Sequence, residues 1–234
     1  MNLFYTPDIS GDHYVLSPEE SKHCVRVLRM QAGEPVVLVD GRGNWYDGEI
    51  EDVAARGCGV CILRKTEEYG RRPFRLHLAV APTKNIDRVE WMLEKCTEMG
   101  IDAITMLNTE HSERKVVKEE RLEKVLVAAM KQSLKAYLPE LQSMVDFKKF
   151  VSSCTETQKF IAHCHEGEKL RLDEAYLPGS DVVILIGPEG DFSAEEVAYA
   201  AQFGFKAITL GTSRLRTETA GLVACHSIDF LNHI

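Results

Sequence analysis

From residue 74 onward, short and almost wholly apolar runs alternate with segments of helical period, and no other feature constrains the fold as tightly. The runs cover residues 76–81, 101–107, 160–163, 182–186 and 207–210, and the helical segments cover about 84–99, 118–135, 193–203 and 217–231. Ile86, Val89, Leu93 and Cys96 recur at the 3.6-residue spacing, as do Leu122, Val125, Leu126 and Ala129. A strand that is apolar on both faces has no side to show to water. Alternating with helices, such strands predict a parallel sheet covered on both faces, an α/β domain over residues 74–234.

The first seventy residues follow a different grammar. Residues 35–40 read as a strand that runs into the turn Gly41-Arg42-Gly43-Asn44. Residues 45–50 alternate, and 58–63 form a further strand after a loop around Arg56-Gly57. One helix precedes them, with Ser17 as N-cap, Pro18 at the first position and Glu20 completing a capping box. Its period turns Val25, Val27 and Leu28 inward and leaves His23, Arg26 and Arg29 on the other side. This is a small β-rich domain of barrel type over residues 1–70, followed by a polar, basic linker at 67–73.

Composition closes off other classes. The chain has 234 residues, 44% of them apolar and 27% charged, in the range of globular proteins. No stretch approaches the roughly 18–20 uncharged apolar residues of a membrane span. The opening residues lack the basic flank and apolar core of a secretion signal, so a cytoplasmic location is expected. Of seven cysteines, only Cys58-Gly59-Val60-Cys61 has a chelating spacing. On a strand its two thiols point to opposite faces. His163-Cys164-His165 also follows a strand-like run, so neither a metal site nor a disulfide framework is expected. Net charge is −8, which argues against nucleic acid until its distribution is seen. Residues 140–234 hold 8 basic and 14 acidic side chains, whereas residues 73–139 hold 11 and 10. The near-neutral middle leaves room for local basic faces.

Chemistry is expected at strand ends, where glycines let a backbone approach a ligand. At Ile186-Gly187-Pro188-Glu189-Gly190-Asp191-Phe192-Ser193 a buried strand breaks into a glycine loop, and Ser193 with Glu196 forms a capping box. A plain strand-to-helix turn explains that loop as well as a binding site does. At Leu210-Gly211-Thr212-Ser213-Arg214-Leu215-Arg216-Thr217-Glu218-Thr219-Ala220, Thr217 or Thr219 is expected to cap the next helix. Glu218 suits its positive end. Capping leaves both arginines unused. The third segment, Ala81-Pro82-Thr83-Lys84 with Arg88, Glu94, Lys95 and Glu98, reads on its own as a solvated helix face. Nucleotide-phosphate fingerprints are absent from the sequence, which disfavours a nicotinamide dehydrogenase or a P-loop enzyme, and no hydrolase motif appears.

Taken together, Gly187-Pro188-Glu189-Gly190, Leu210-Gly211 and Leu215-Arg216-Thr217-Glu218-Thr219-Ala220 resemble the C-terminal signature of the RsmE family. These are 16S ribosomal RNA uridine-N3 methyltransferases of the SPOUT superfamily. The resemblance extends to His23-Cys24-Val25-Arg26-Val27-Leu28-Arg29 in a PUA-like RNA-binding module. It includes Lys84, Arg88, Glu94, Lys95, Glu98 and Gly100 in the first helix of the catalytic domain, and Gln132-Ser133 with Pro139 in a middle motif. Departures are Asp191 where many members have glycine, Ser213-Arg214 for Arg-Ile, His111 for arginine, and Leu134-Lys135 for Gly-Arg.

The resemblance implies a trefoil-knotted α/β domain, a homodimer and S-adenosylmethionine as cofactor. The cofactor would be held by Ile186, Gly187, Glu189, Gly190, Leu210, Gly211, Leu215, Arg216, Thr217 and Ala220. It implies methylation of uridine N3 in 16S rRNA of the small ribosomal subunit, near the decoding centre, with no metal. His23, Arg26, Arg29, Lys84 and Arg88 are the expected RNA contacts. Arg216 is the expected catalytic cation, favouring the N3 anion, and Glu218 is the lesser candidate. A SPOUT enzyme acting on another base or a ribose 2′-hydroxyl, and a non-catalytic RNA-binding assembly factor, are the alternatives.

Overall fold

The structure is a computed structural model that describes residues 1–54 and 57–233. Arg56, and with it part of the turn expected at Arg56-Gly57, lies outside the described residues. The chain divides into two compact units, Met1–Arg71 with Met130–Leu138, and Arg72–Ala129 with Pro139–Ile234.

The first unit contains β1 (Leu3–Tyr5), β2 (His13–Val15), α1 (Pro18–His23), a π turn over Cys24–Leu28, β3 (Pro35–Val39), β4 (Trp45–Asp52) and β5 (Gly59–Thr66). The strands form one sheet in the order β1-β3-β4-β5-β2, parallel between β1 and β3 and antiparallel elsewhere. Strand β3 is apolar without alternation because both of its faces are covered. Val36 and Leu38 join Phe4, Leu16, Cys24, Ile50 and Val60 in one core. Val37 and Val39 join Leu3, Trp45, Met130 and Ala136 in a second. The segment 130–138 is thus the cover of the sheet's other face.

The turn after β3 is built as its residues suggest. Buried Asp40 accepts the backbone N–H of Arg42 at 2.8 Å and of Asn44 at 3.2 Å. Gly43, at φ +95°, is required by packing as well, since a Cβ there would overlap the Tyr137 ring at 2.2 Å.

Ser17 caps α1 by accepting the Glu20 N–H, and Pro18 sits in the first turn. The expected return bond of a capping box is missing, because the Glu20 carboxylate pairs with Lys131 instead. Val27 also departs from expectation and is 65% exposed. The widened π turn advances the register, so Cys24 is buried and Val25 and Leu28 pack against the core, while Val27 swings outward.

The second unit contains β6 (Leu76–Val80), α2 (Ile86–Met99), β7 (Ala103–Asn108), α3 (Glu119–Gln132), β8 (Glu140–Asp146), α4 (Phe147–Ser153) and β9 (Gln158–Ala162). After these come β10 (Leu170–Arg171), the single turn α5 (Leu172–Ala175), β11 (Val182–Ile186), α6 (Ala194–Gln202), β12 (Lys206–Thr209) and α7 (Thr217–Asn232). The seven strands are parallel throughout, in the order β10-β12-β9-β11-β6-β7-β8. Every residue of β6 and β11 is buried. Ala79, Ile161 and Leu185 face a core with Phe147, Phe150, Phe192 and Phe205 from the α4/α6 side. Leu78 faces α7, which packs on α2. Both faces of the sheet are therefore covered, as the continuous apolar runs require.

Candidate functional site

Strands β9, β11 and β12 are neighbours in the parallel sheet, so the loops at their carboxyl ends converge. They enclose a cleft of about 840 Å³, within the size range of small-molecule sites. Ile186, Ile208, Leu210 and Leu215 supply apolar wall; beside it Gly187 is buried against the backbone of Asp191 and Phe192, and Gly211 is exposed. Gly211 sits at φ +133° with nothing within 4 Å of the position a Cβ would take.

Each loop is tied by a specific bond. Asp191 adopts φ +63°, a left-handed conformation that asparagine and aspartate tolerate better than other side chains. Its carboxylate accepts the N–H of Cys164 at 2.7 Å and its neighbour Phe192 N–H at 2.8 Å, joining the loop after β11 to the loop after β9. The His165 imidazole donates from Nε2 to the Phe192 carbonyl at 2.6 Å, and Lys169 donates to the carbonyls of His163 at 3.1 Å and His165 at 2.6 Å. His163 lines the cleft with both ring nitrogens buried and no hydrogen-bond partner among the described residues. Burial, followed by the charge of Lys169, lowers its pKa from the ordinary histidine value.

The capping box expected at Ser193 is present, with Ser193 Oγ accepting the Glu196 N–H and Glu196 returning the bond. At α7 the expectation fails. Neither Thr217 nor Thr219 is the cap: Arg216 occupies the N-cap position, and the Thr217 hydroxyl donates to the Gly187 carbonyl at 2.9 Å. A buried carbonyl at the end of β11 claims that hydroxyl, which stitches the start of α7 to the glycine loop. Glu218 lies in the first turn of α7, buried, with Oε1 3.7 Å from the Arg88 guanidinium and Oε2 without a hydrogen-bond partner among the described residues. Arg214 and Arg216 are exposed, and neither guanidinium makes an ion pair among the described residues. Two free cations at the mouth of a cleft and at a helix N-terminus make this a site for an anion or for developing negative charge.

Of the residues expected around the cofactor, all but Gly190 line this one cleft. Gly190 packs the other way, and a Cβ there would come within 3.0 Å of the His111 Cβ. His111 donates from Nδ1 toward the carbonyls of Asp191 at 3.0 Å and Gly190 at 3.1 Å. These bonds raise its pKa. The Lys84 N–H donates to Glu189 at 3.0 Å while its side chain pairs with Glu113 at 2.8 Å. On α2, Lys95 bridges Glu94 and Glu98, and Glu90 pairs with Arg121. His23, Arg26 and Arg29 are exposed on the first unit, with Arg29 ending the π turn at φ +55°.

Sequence reasoning weighed His163, Cys164 and His165 only as metal ligands and missed their place in the cleft, together with Lys169 and Asp191. Their position after a strand was visible. That this strand lies between β11 and β12 was not, because strand order is a property of the sheet.

Comparison with known proteins gives this geometry a context. Residues 70–229 match the RNA methyltransferase domain family, and residues 16–58 match the RNA methyltransferase PUA domain. A probable rRNA-methyltransferase from Porphyromonas gingivalis superposes with a TM-score of 0.94 at 43% identity, covering 100% of this chain and 99% of that one. A methyltransferase from Legionella pneumophila, solved in complex with the bound cofactor SAM, superposes at 0.87 with 32% identity, covering 97% and 96%. The curated ribosomal RNA small subunit methyltransferase E of Synechocystis sp. is 29% identical over 222 residues, 92% of this chain and 72% of that protein.

Proposed function

The chain belongs to the RNA methyltransferase family that includes ribosomal RNA small subunit methyltransferase E, and from this premise we propose that it methylates 16S rRNA of the small ribosomal subunit with S-adenosylmethionine, at N3 of a uridine near the decoding centre. The observation that carries the reading is the cleft at the ends of β9, β11 and β12, with an unpaired Arg216 at its mouth. Its residues fit the cofactor. Leu210, Ile208 and Leu215 offer the apolar wall that a purine needs, Glu189 and Asp191 bring negative charge for a cationic ligand, and the open backbone at Gly211 allows close approach. When bound, S-adenosylmethionine supplies an electrophilic methyl group on a sulfonium.

The chain's own contribution is orientation and charge. Uridine N3 is a poor nucleophile until its proton leaves, and the Arg216 guanidinium beside the uracil carbonyls favours the anion. Thr217 holds the glycine loop through Gly187. Glu218, buried and facing Arg88, balances charge at the start of α7 rather than touching substrate. His23, Arg26, Arg29, Lys84 and Arg88 contact phosphates, the last two exchanging their present carboxylate partners for RNA. The reading includes a homodimer, supported by Trp91 on α2 and Phe230 on α7, both large apolar side chains left exposed. It also includes a trefoil knot at the C-terminal loops and action in the cytoplasm. No helix among the described residues is long and apolar enough to cross a membrane.

Calorimetric titration with S-adenosylmethionine, followed by incubation with undermethylated small subunits and nucleoside mass spectrometry, tests the proposal. Binding and 3-methyluridine are expected, with Arg216→Ala losing at least about a hundredfold in turnover, the scale of removing one such donor, while cofactor still binds. Another methylated nucleoside would overturn the N3 assignment. Full activity in Arg216→Ala would overturn the role of the arginine.

A further inference from the structure

The Cys58-x-x-Cys61 pair does not chelate across itself. Cys58 is wholly buried, with Sγ toward the carbonyls of Ala54 and Ser21, while Cys61 lies on the other face of β5. That face is covered by residues 130–138 only at the β1/β3 end of the sheet, and toward β2 it is open. There Cys61 has neighbours that sequence spacing did not reveal. His13, on the edge strand β2, stands directly opposite Cys61 in the antiparallel register. Glu51 lies on β4 where the pairing with β5 slips between Ile50 and Asp52, and an irregularity of this kind re-aims a side chain. A His13 ring nitrogen, a Glu51 carboxylate oxygen and Cys61 Sγ all lie within 4.8 Å of one another, and His13 Nδ1 is 3.1 Å from Glu51 Oε2.

We propose that His13, Glu51 and Cys61 form a structural zinc(II) site in the first unit, with water as the fourth ligand. An imidazole nitrogen, a carboxylate oxygen and a thiolate sulfur are the three donor types that zinc takes. Bond lengths of about 2.0–2.1 Å to nitrogen, 2.0–2.2 Å to oxygen and 2.3 Å to sulfur put tetrahedral donors roughly 3.3–3.8 Å apart. The present separations, none above 4.8 Å, are within about 1 Å of that spacing. Their sulfur and nitrogen donors disfavour magnesium and calcium, which select oxygen. The exposed His13 and Glu51 leave the fourth position to solvent. As the zinc–sulfur bond forms, the Cys61 thiol gives up its proton, and thiolate and carboxylate together neutralise the divalent ion.

The site has a structural consequence. Strand β2 has three residues, lies at the sheet edge and leads through Leu16 and Ser17 into α1. A metal shared by β2, β4 and β5 clips that edge and so steadies the element that carries His23, Arg26 and Arg29. The three residues belong to the first unit and the residues of the cleft to the second.

Tag-free protein, stripped with chelator, is titrated with zinc(II), and in parallel with cobalt(II), whose thiolate charge-transfer band reports sulfur ligation. One equivalent of zinc, the band, release of one proton and a raised Tm are expected. Cys61→Ser is expected to abolish the band. The exposed Glu51→Gln is expected to weaken binding at least about tenfold, since loss of an outer-shell partner alone costs about 10–100-fold. Cys164→Ser, which removes the exposed thiol beside His163 and His165, is expected to leave both unchanged. Circular dichroism of the Cys61→Ser and Glu51→Gln proteins separates loss of ligation from loss of fold. No stoichiometric zinc binding by the unmodified chain, or a band that persists in Cys61→Ser, would overturn the proposal.

Discussion

Asp191 shows how a single residue serves two ends. Its φ of +63° is strained for most side chains, and its carboxylate offsets that strain by bonding two loops of the cleft together. The two effects separate by substitution. Asp191→Ala keeps the strain and loses both bonds, and the two N–H groups left without their acceptor are expected to cost about 1–3 kcal/mol of stability and to weaken S-adenosylmethionine binding. Asp191→Gly relieves the strain, so stability should change little, yet affinity should fall because the loop after β9 is released. Denaturant unfolding and calorimetry read the two quantities independently, and wild-type affinity in both variants would deny Asp191 any part in shaping the cleft. The sequence places Asp191 in the glycine loop after a buried strand, but the partner, Cys164 N–H, is 27 residues away and invisible to it. The misassigned cap at α7 has the same origin. A threonine before a helix is a local signal, and a carbonyl 30 residues earlier in the chain outbids it.

Among the elements, those with strong periods were legible. Strands β6 and β11 and helices α2 and α7 stand within a few residues of expectation. Strand β8 and helix α4 were not foreseen. An edge strand such as β8, with three of its seven residues partly covered and none buried, carries a weak pattern, and seven residues of α4 give too few turns to establish a period. The α2/α7 contact rests on Gly221, whose missing Cβ leaves room for the buried Met92. A Cβ there would come within 2.4 Å of Met92 Sδ and 3.2 Å of Leu78 Cδ2. On an exposed helix, glycine to alanine gains about 1 kcal/mol. Here overpacking, typically about 1–3 kcal/mol, outweighs that gain, so Gly221→Ala is expected to lower the urea midpoint by destabilising the helix pair. A raised midpoint would mean that Met92 finds another rotamer freely.

At the scale of the whole molecule, the first unit is built from two distant pieces of chain. Residues 1–71 alone leave Leu3, Val37, Val39 and Trp45 without Met130 and Ala136 above them. A fragment ending at residue 71 is therefore expected to show red-shifted Trp45 emission and shallow unfolding, and appending residues 130–138 through a flexible linker should restore both. Blue-shifted emission from the fragment alone would show that the cover is dispensable. By itself the sequence determined that an α/β domain follows a β-rich one, where the main strands and helices lie, and which glycine loops stand at strand ends. Each of these depends on residues within a turn or two of one another, or on motifs of a few consecutive positions. Only the tertiary structure decided which strand ends meet in one cleft, which segment covers the first sheet, and which side chains Cys61 faces. Those are matters of strand order and packing between residues far apart in the chain, where periodicity carries no information.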